Sequence, residues 1–315
     1  MNLIEQHVCS KLGDIKTCED GLVVTEGYAC VIDGATSVSG RRWTRDSVTS
    51  GQWAMKVLQK GVKQLRHDLS ARQIIDDLTK CIHDAYRVEE IIEIMKKSPE
   101  ERASASLILY SEHLQQIISV GDCQAAFLDK NGKIFRWIQS TKYNDDVMSQ
   151  ARCMYLETEL ARGVPLETLR ESPDCGRNFI QPLLKGQRLF QNNPNAPDLY
   201  QYWVLDGFYV AEKGICVYDV PRRAKQVILA SDGYPQILTS LGESETALQT
   251  LLKNDPLMMK QFKSTKGVAL GAVSFDDRAY LRIEVQSLPS ILQRMLSTLG
   301  FLKSIAFLVR RSLKV

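Results

Sequence analysis

The sequence lacks the residue patterns that mark several common classes of protein. None of its eight cysteines stands in a C-x-x-C pair, which argues against zinc ribbons and thioredoxin-like redox centres. With only four histidines and no H-E-x-x-H motif, a zinc hydrolase is disfavoured. No uninterrupted run of about 20 apolar residues is present, so a conventional membrane span is not expected. We therefore expect a globular protein with reduced thiols.

The sequence also has little excess charge. Its 40 basic and 37 acidic residues give a net charge of +3, and no basic stripe is interleaved with aromatic residues, so nucleic acid is not an expected partner. The first 12 residues lack the apolar core of a signal peptide, which favours a cytoplasmic location. A chain of 315 residues can bury one large core.

Hydrophobic periodicity predicts the order of the elements. Strands are expected at 21–33 (a pair), 105–110, 116–120, 125–128, 133–138, 201–219, 226–230 and 279–285, and helices at 46–66, 72–97, 147–162 and 234–263. Helices follow blocks of strands instead of alternating with them, which favours an α+β fold with antiparallel sheets over a doubly wound parallel sheet. Residues 144–200 end in a loop-rich stretch and are predicted to form an insertion, or flap, over one face.

Acidic residues stand where the predicted strands begin or end. They are Glu19-Asp20, Asp33-Gly34, Asp122, Asp232-Gly233 and Asp276-Asp277. Carboxylates on such rigid supports can converge, and once together they raise one another's pKa unless a cation neutralises them. Mg²⁺ and Mn²⁺ prefer such oxygen ligands. A single Asp-Gly pair is more often only a turn, so the prediction of a metal site depends on the whole set.

In their order, these motifs resemble those of the metal-dependent type 2C serine/threonine protein phosphatases. Residues 228–233 (I-L-A-S-D-G) resemble the family's Ala-Ser-Asp-Gly motif, and residues 31–37 (V-I-D-G-A-T-S) resemble its Asp-Gly element. Weaker likenesses lie at 18–20, 104–109, 119–125 and 275–281, so the resemblance covers about residues 10–286. It implies a phosphatase domain at 1–286, built as a four-layer α-β-β-α sandwich of two antiparallel sheets flanked by helices.

The resemblance also implies a pair of divalent cations, Mn²⁺ or Mg²⁺, bridged by Asp33. Glu19 and the carbonyl of Gly34 would complete one site, and Asp232 and Asp277 would complete the other. Asp20 would bind through water or accept a hydrogen bond behind the ligands. A weakly held third ion would use Asp145 or Asp146. Asp33 and Asp232 would thus be the catalytic residues.

The implied reaction is hydrolysis of phosphoserine and phosphothreonine in a phosphorylated protein substrate by metal-activated water. The chain departs from the family in three places. Ala35 stands where eukaryotic members have a histidine, and Arg278 replaces an asparagine. The phosphate-binding arginine before Glu19 is missing; Lys16 is the nearest cation, with Arg41, Arg42 and Arg45 as alternatives.

These departures leave two alternatives open. One is a type 2C-like domain that has lost catalysis and works as a binding or regulatory module. The other is a phosphatase for a small phosphorylated metabolite, a choice that depends on the shape of the 144–200 segment.

Residues 287–315 form a separate C-terminal extension. It has no acidic residue, and apolar residues recur at helical spacing from Ile291 to Leu313. Such a basic amphipathic segment packs on the protein's own surface, or it contacts an anionic membrane surface or a partner groove. The second interpretation would make the protein peripheral at a membrane.

Overall fold

The structure is a computed structural model and describes residues 1–36, 38, 48–170 and 174–285. Within these residues, ten strands form two antiparallel five-stranded sheets, which we call sheet A and sheet B. Sheet A has the order β1-β10-β9-β6-β7 and sheet B the order β2-β3-β4-β5-β8. The strands are β1 (Asn2–Cys9), β2 (Asp20–Val24), β3 (Tyr28–Gly34), β4 (Ala105–Ser111), β5 (Gln116–Val120), β6 (Gln124–Leu128), β7 (Ile134–Gln139), β8 (Cys216–Asp219), β9 (Gln226–Ala230) and β10 (Arg278–Glu284).

Helices connect and cover these sheets. In the described part of the chain they are α1 (Ser50–Gln64), α2 (Ala71–Val88), α3 (Ile92–Lys97), α4 (Tyr143–Ala161), α5 (Leu166–Leu169), α6 (Cys175–Gly186) and α7 (Leu241–Asn254). Capping boxes begin α1 and α2: the side chains of Thr49 and Ser70 accept a hydrogen bond from a backbone amide of the first turn, and the side-chain oxygens of Gln52 and Gln73 accept one from the backbone N–H of the cap residue.

Three apolar clusters divide the molecule into four layers. Successive residues of β3 point to opposite faces, so Cys30 and Ile32 pack under α1 and α2 while Val31 packs between the sheets. Sheet A contributes Phe127 and Leu229 to the same central cluster. Its outer face packs against α7 through Leu248 and neighbouring apolar residues. The predicted α-β-β-α sandwich is therefore confirmed.

Three local predictions differ from the structure. The strand β1 was not predicted from the sequence, because its pairing with β10 joins residues about 280 positions apart. Only α7 of the predicted helix 234–263 is helical, since the Asp255 carboxylate accepts backbone N–H bonds from Met259, Lys260 and Gln261 and shapes a loop. In the region 201–219, only β8 is a regular strand.

Several predictions fall outside the described residues, namely those for Arg41, Arg42, Arg45 and the extension 287–315. No helix among the described residues is long and apolar enough to cross a membrane.

Candidate metal centre

The two sheets bring the acidic residues to one end of the sandwich. In sheet B, β2 begins at Asp20, β3 ends at Asp33-Gly34, and Asp122 follows the end of β5. Because neighbouring strands are antiparallel, these positions lie along the same edge. In sheet A, Asp232 follows β9 and the pair Asp276-Asp277 precedes β10, again at one edge.

Three of these carboxylates converge most closely. Asp33, Asp122 and Asp232 each offer an oxygen atom, and these atoms all lie within 4.8 Å of one another. All three residues line a cavity of about 390 Å³, together with residues of the predicted flap such as Asp145 and Arg177. Residues from both sheets therefore form the floor of one cavity, and the flap forms part of its wall.

The electrostatics of this floor favour a cation. Burial raises the pKa of Asp33 well above its usual range, and the charges of Asp20 and Asp122 raise it further. Burial likewise raises the pKa of Asp232, with Asp33 and Asp122 adding to the effect. A divalent cation would remove this repulsion and hold both groups ionised.

Asp20 supplies an independent sign that the donor set fits a hard cation. Its side chain is buried, and its Oδ2 atom has no hydrogen-bond partner in the described part of the structure. Asp20 also lies directly opposite Asp33 in the register of β2 and β3. An orphaned buried carboxylate oxygen is costly unless an ion or water satisfies it. We take this atom as evidence that the acidic residues fit a divalent cation.

Glu19 is held firmly beside this floor. Its Oε1 accepts a hydrogen bond from the Thr49 hydroxyl at 2.6 Å, and its Oε2 accepts one from Thr36 at 2.8 Å and one from Lys11 at 3.3 Å. Thr49 also caps α1, so the positive end of that helix faces the Glu19 carboxylate. The predicted ligand is thus oriented by three donors.

Close backbone packing explains two of the glycines at the site. A Cβ atom on Gly51 would lie 2.7 Å from the carbonyl oxygen of Gly34 and 2.8 Å from Oε1 of Glu19. A Cβ atom on Gly233 would lie 2.0 Å from the carbonyl oxygen of Asp277. Only glycine permits these approaches, which bring α1 against β3 and β9 against the start of β10.

The two residues of the pair Asp276-Asp277 have different surroundings. Asp276 lines the cavity, whereas Asp277 is buried behind it. The carboxylate of Asp277 accepts backbone N–H bonds from Lys11 at 2.7 Å and from Glu19 at 2.9 Å. Asp277 therefore ties the N-terminal segment to β10, and Asp276 presents its carboxylate to the site.

Lysines, which the sequence analysis did not assign to the site, contact the outer carboxylates. Lys11 lies 3.3 Å from Glu19, 3.8 Å from Asp276 and 3.4 Å from Asp277. Lys266 bonds Asp276 at 2.5 Å, and Lys142 lies 2.6 Å from Asp122.

Burial alone would raise the pKa of Asp122, but the charge of Lys142 and a hydrogen bond from Ser106 more than offset it, and the pKa falls below its usual range. These lysines lie at distant positions in the chain and follow no motif, so no local sequence signal identifies them.

Lys16, the nearest candidate for the phosphate-binding cation, does not line the cavity. Lys16 is exposed, and it is absent from the cavity wall. Arg177 on α6 lines the cavity instead, with Nη1 bonded to the carbonyl and hydroxyl oxygens of Thr265 at 3.2 and 3.3 Å. Ala35 lines the cavity too, and none of the four histidines does.

Comparison with known proteins gives matches at the level of structure only. No family model and no curated protein matches the sequence. The serine/threonine phosphatase PstP/Ppp of Mycobacterium tuberculosis is 13% identical with a TM-score of 0.44, and the match covers 91% of this chain and 100% of that one. Stp1 of Staphylococcus aureus is 11% identical with a TM-score of 0.47, covering 91% and 96%.

A PstP catalytic domain solved with two manganese ions is 13% identical, with a TM-score of 0.44 over 90% of this chain and 97% of that one. All three of these solved structures are of serine/threonine phosphatases.

Proposed function

We propose that the protein is a metal-dependent phosphomonoesterase that hydrolyses phosphoserine and phosphothreonine in proteins. The observation that carries the proposal is the convergence of Asp33, Asp122 and Asp232 within 4.8 Å at the floor of an open cavity. Two carboxylates of this set, Asp33 and Asp232, have a raised pKa because of burial and mutual repulsion, as expected of groups that receive a cation.

We assign the residues of the site to two divalent cations, Mn²⁺ or Mg²⁺. Asp33 is central to both, because it lies opposite Asp20 in the pairing of β2 with β3 and close to Asp232 on the cavity floor. Gly34 offers its carbonyl oxygen beside Glu19, and Asp276 is better placed than Asp277 to serve with Asp232. Bound there, divalent cations supply positive charge to the phosphoryl oxygens and lower the pKa of a water molecule.

The remaining steps fall to side chains of the cavity wall. Arg177 offers a guanidinium on the flap side, where it can bind a phosphoryl oxygen and orient the ester for in-line attack. Since Ala35 and its surroundings carry no histidine, protonation of the leaving group falls to water. Residues of the flap helices α4 and α6 line the cavity, and we expect them to set which phosphorylated groups can enter.

A matched set of assays tests the proposal. The full chain is assayed for hydrolysis of p-nitrophenyl phosphate and of a phosphothreonine peptide, with Mn²⁺, with Mg²⁺ and with excess chelator. We expect hydrolysis of both substrates with Mn²⁺ and none with chelator. Hydrolysis that is unaffected by the chelator would contradict the proposal. Turnover of small phosphate esters without turnover of the peptide would favour a small-metabolite phosphatase.

One observation favours the catalytically impaired alternative. Lys11, Lys142 and Lys266 contact carboxylates around the floor and already neutralise part of its charge. If these cations suffice, the domain would bind phosphorylated groups without hydrolysing them. Calorimetry separates the two cases: the alternative predicts binding of the phosphothreonine peptide without Mn²⁺ and without release of phosphate.

A further inference from the structure

Lys142 lies between two aspartates at the edge of the acidic floor. It directly precedes α4, and its Nζ atom is 2.6 Å from Oδ2 of Asp122 and 3.9 Å from Oδ2 of Asp145. The ammonium also lies 5.7 Å from the centre of the Tyr202 ring. Lys142 and Asp145 both line the cavity that contains Asp33 and Asp232.

Asp122 differs from the other carboxylates of the acidic cluster in the donors that contact it. Asp122 receives a hydrogen bond from Ser106 at 2.5 Å on Oδ1 and the Lys142 ammonium on Oδ2. Each of its oxygens therefore already has one donor from the protein itself. Asp145 does not belong to the group Asp33, Asp122 and Asp232. It lies in the first turn of α4 and contacts the same ammonium.

We propose that Lys142 is a built-in cation that occupies a third cation position beside the proposed metal pair. This inference rests on the proposed function, because it concerns the number of divalent cations that the site binds. Two carboxylates that face each other across one ammonium are a donor pair that a hard divalent cation would otherwise use. The ammonium blocks that position sterically, and its charge repels a further cation a few ångströms away.

The lysine also differs chemically from the ion that it replaces. It carries one unit of positive charge instead of two, it has no water ligands, and it does not dissociate when the concentration of metal falls. The cavity edge around Asp122 and Asp145 therefore keeps the same charge at every metal concentration. The protein should bind two divalent cations and no third one.

Counting bound Mn²⁺ ions tests the inference without using activity. The full chain and its Lys142→Met variant are titrated with Mn²⁺, and free ion is measured by electron paramagnetic resonance. Met has a similar length but no charge, and Lys130→Met, on the exposed β6–β7 turn, is the matched control. We expect two ions for the unmodified and Lys130→Met proteins and three for Lys142→Met, with the third lost again when Asp145→Asn is added.

Other numbers of bound Mn²⁺ ions would contradict the inference. Two ions in both the unmodified protein and folded Lys142→Met would overturn the lysine assignment alone. Three ions in the unmodified protein would also overturn it, while no bound Mn²⁺ would overturn the proposed function together with the inference. If Lys142→Met does not fold, Asp145→Asn alone serves: it should leave two ions bound, and loss of an ion would show that Asp145 is a ligand and contradict the inference.

Discussion

Asp20 and Asp33 lie directly opposite each other on neighbouring antiparallel strands, so two carboxylates face one another at the edge of sheet B. Like charges in this relationship destabilise a sheet. The orphaned Oδ2 atom of Asp20 adds to the cost. We infer that the metal-free fold is strained at this pair and that a divalent cation relieves it.

Replacement of Asp20 should therefore have opposite effects on the stability of the metal-free protein and on the stabilisation by metal. We expect Asp20→Asn to raise the stability of the metal-free protein by about 1 kcal/mol, because it removes a buried acidic group whose ionisation opposite Asp33 is costly. The same variant should gain less stability from added Mn²⁺. Thermal unfolding in chelator and in Mn²⁺ measures both effects, with Asp219→Asn on the exposed strand β8 as the control. A metal-free variant that is less stable than the unmodified protein would contradict the prediction.

The raised pKa values at the floor predict how stability depends on pH. Burial is the first cause for Asp20, Asp33 and Asp232, and it raises the folded-state pKa above the unfolded value. Such groups stabilise the fold fully below the unfolded pKa, and they lose this contribution as the pH rises through the folded pKa. In chelator, stability should therefore fall as the pH rises above the ordinary carboxyl range, by about 1.4 kcal/mol for each unit of difference in pKa.

Mn²⁺ should abolish this loss, because bound cations hold the same groups ionised. The pKa values of Asp122 and Asp276 are lowered in the folded protein, so these two groups stabilise the fold at higher pH. That contribution is lost as the pH falls through their folded-state pKa. Denaturant unfolding at a series of pH values, with and without Mn²⁺, measures the difference. A pH dependence that is the same in both conditions would count against a cation at this floor.

Neighbouring aspartates before β10 should have different roles. Asp276→Asn should weaken Mn²⁺ binding, because Asp276 lines the cavity. Asp277→Asn should chiefly lower stability, by about 1–3 kcal/mol, since its carboxylate accepts buried hydrogen bonds from the backbone of Lys11 and Glu19. Mn²⁺ titration and denaturant unfolding of both variants give the comparison. The reverse pattern would restore Asp277 as the ligand.

A guanidinium of the flap should bind the substrate's phosphate. Arg177→Ala is expected to raise KM for p-nitrophenyl phosphate by about tenfold or more, because charge-assisted hydrogen bonds contribute about 1.5–3 kcal/mol. Lys16→Ala should leave KM unchanged, since Lys16 is exposed and outside the cavity wall. Mn²⁺ affinity should be the same in both variants. An increase in KM for Lys16→Ala alone would return the role to that residue.

Much of the sandwich could be predicted because its central strands are buried on both faces. β3 and β4 are predominantly apolar, and the aspartates at strand ends indicate the edge at which the sheets converge. β1 places three consecutive polar residues, Glu5, Gln6 and His7, between two apolar pairs and so lacks the alternation that indicates a strand, and its partner β10 lies far along the chain. Local sequence patterns do not indicate a pairing between residues so far apart in the chain.

The cations of the site could not be predicted for a related reason. Lys142 reaches Asp122 only because β7 returns the chain to the same edge of the molecule, and Lys266 reaches Asp276 from an irregular loop. A lysine in a loop has no spacing that distinguishes a buried partner from a solvated one. The choice between Asp276 and Asp277 depends on which side chain faces the cavity, which two adjacent identical residues do not reveal.

The central claim is that Asp33 holds divalent cations that are needed for hydrolysis of phosphate esters. The most direct test is the turnover rate of Asp33→Asn on p-nitrophenyl phosphate with saturating Mn²⁺, beside the unmodified protein and the Asp219→Asn control. Asparagine keeps the shape of the side chain but removes the charge that the cations require. We predict that turnover falls by at least about a hundredfold, a loss of about 2.7 kcal/mol of transition-state stabilisation, with an unchanged circular dichroism spectrum. Undiminished turnover in a folded Asp33→Asn protein would contradict the account.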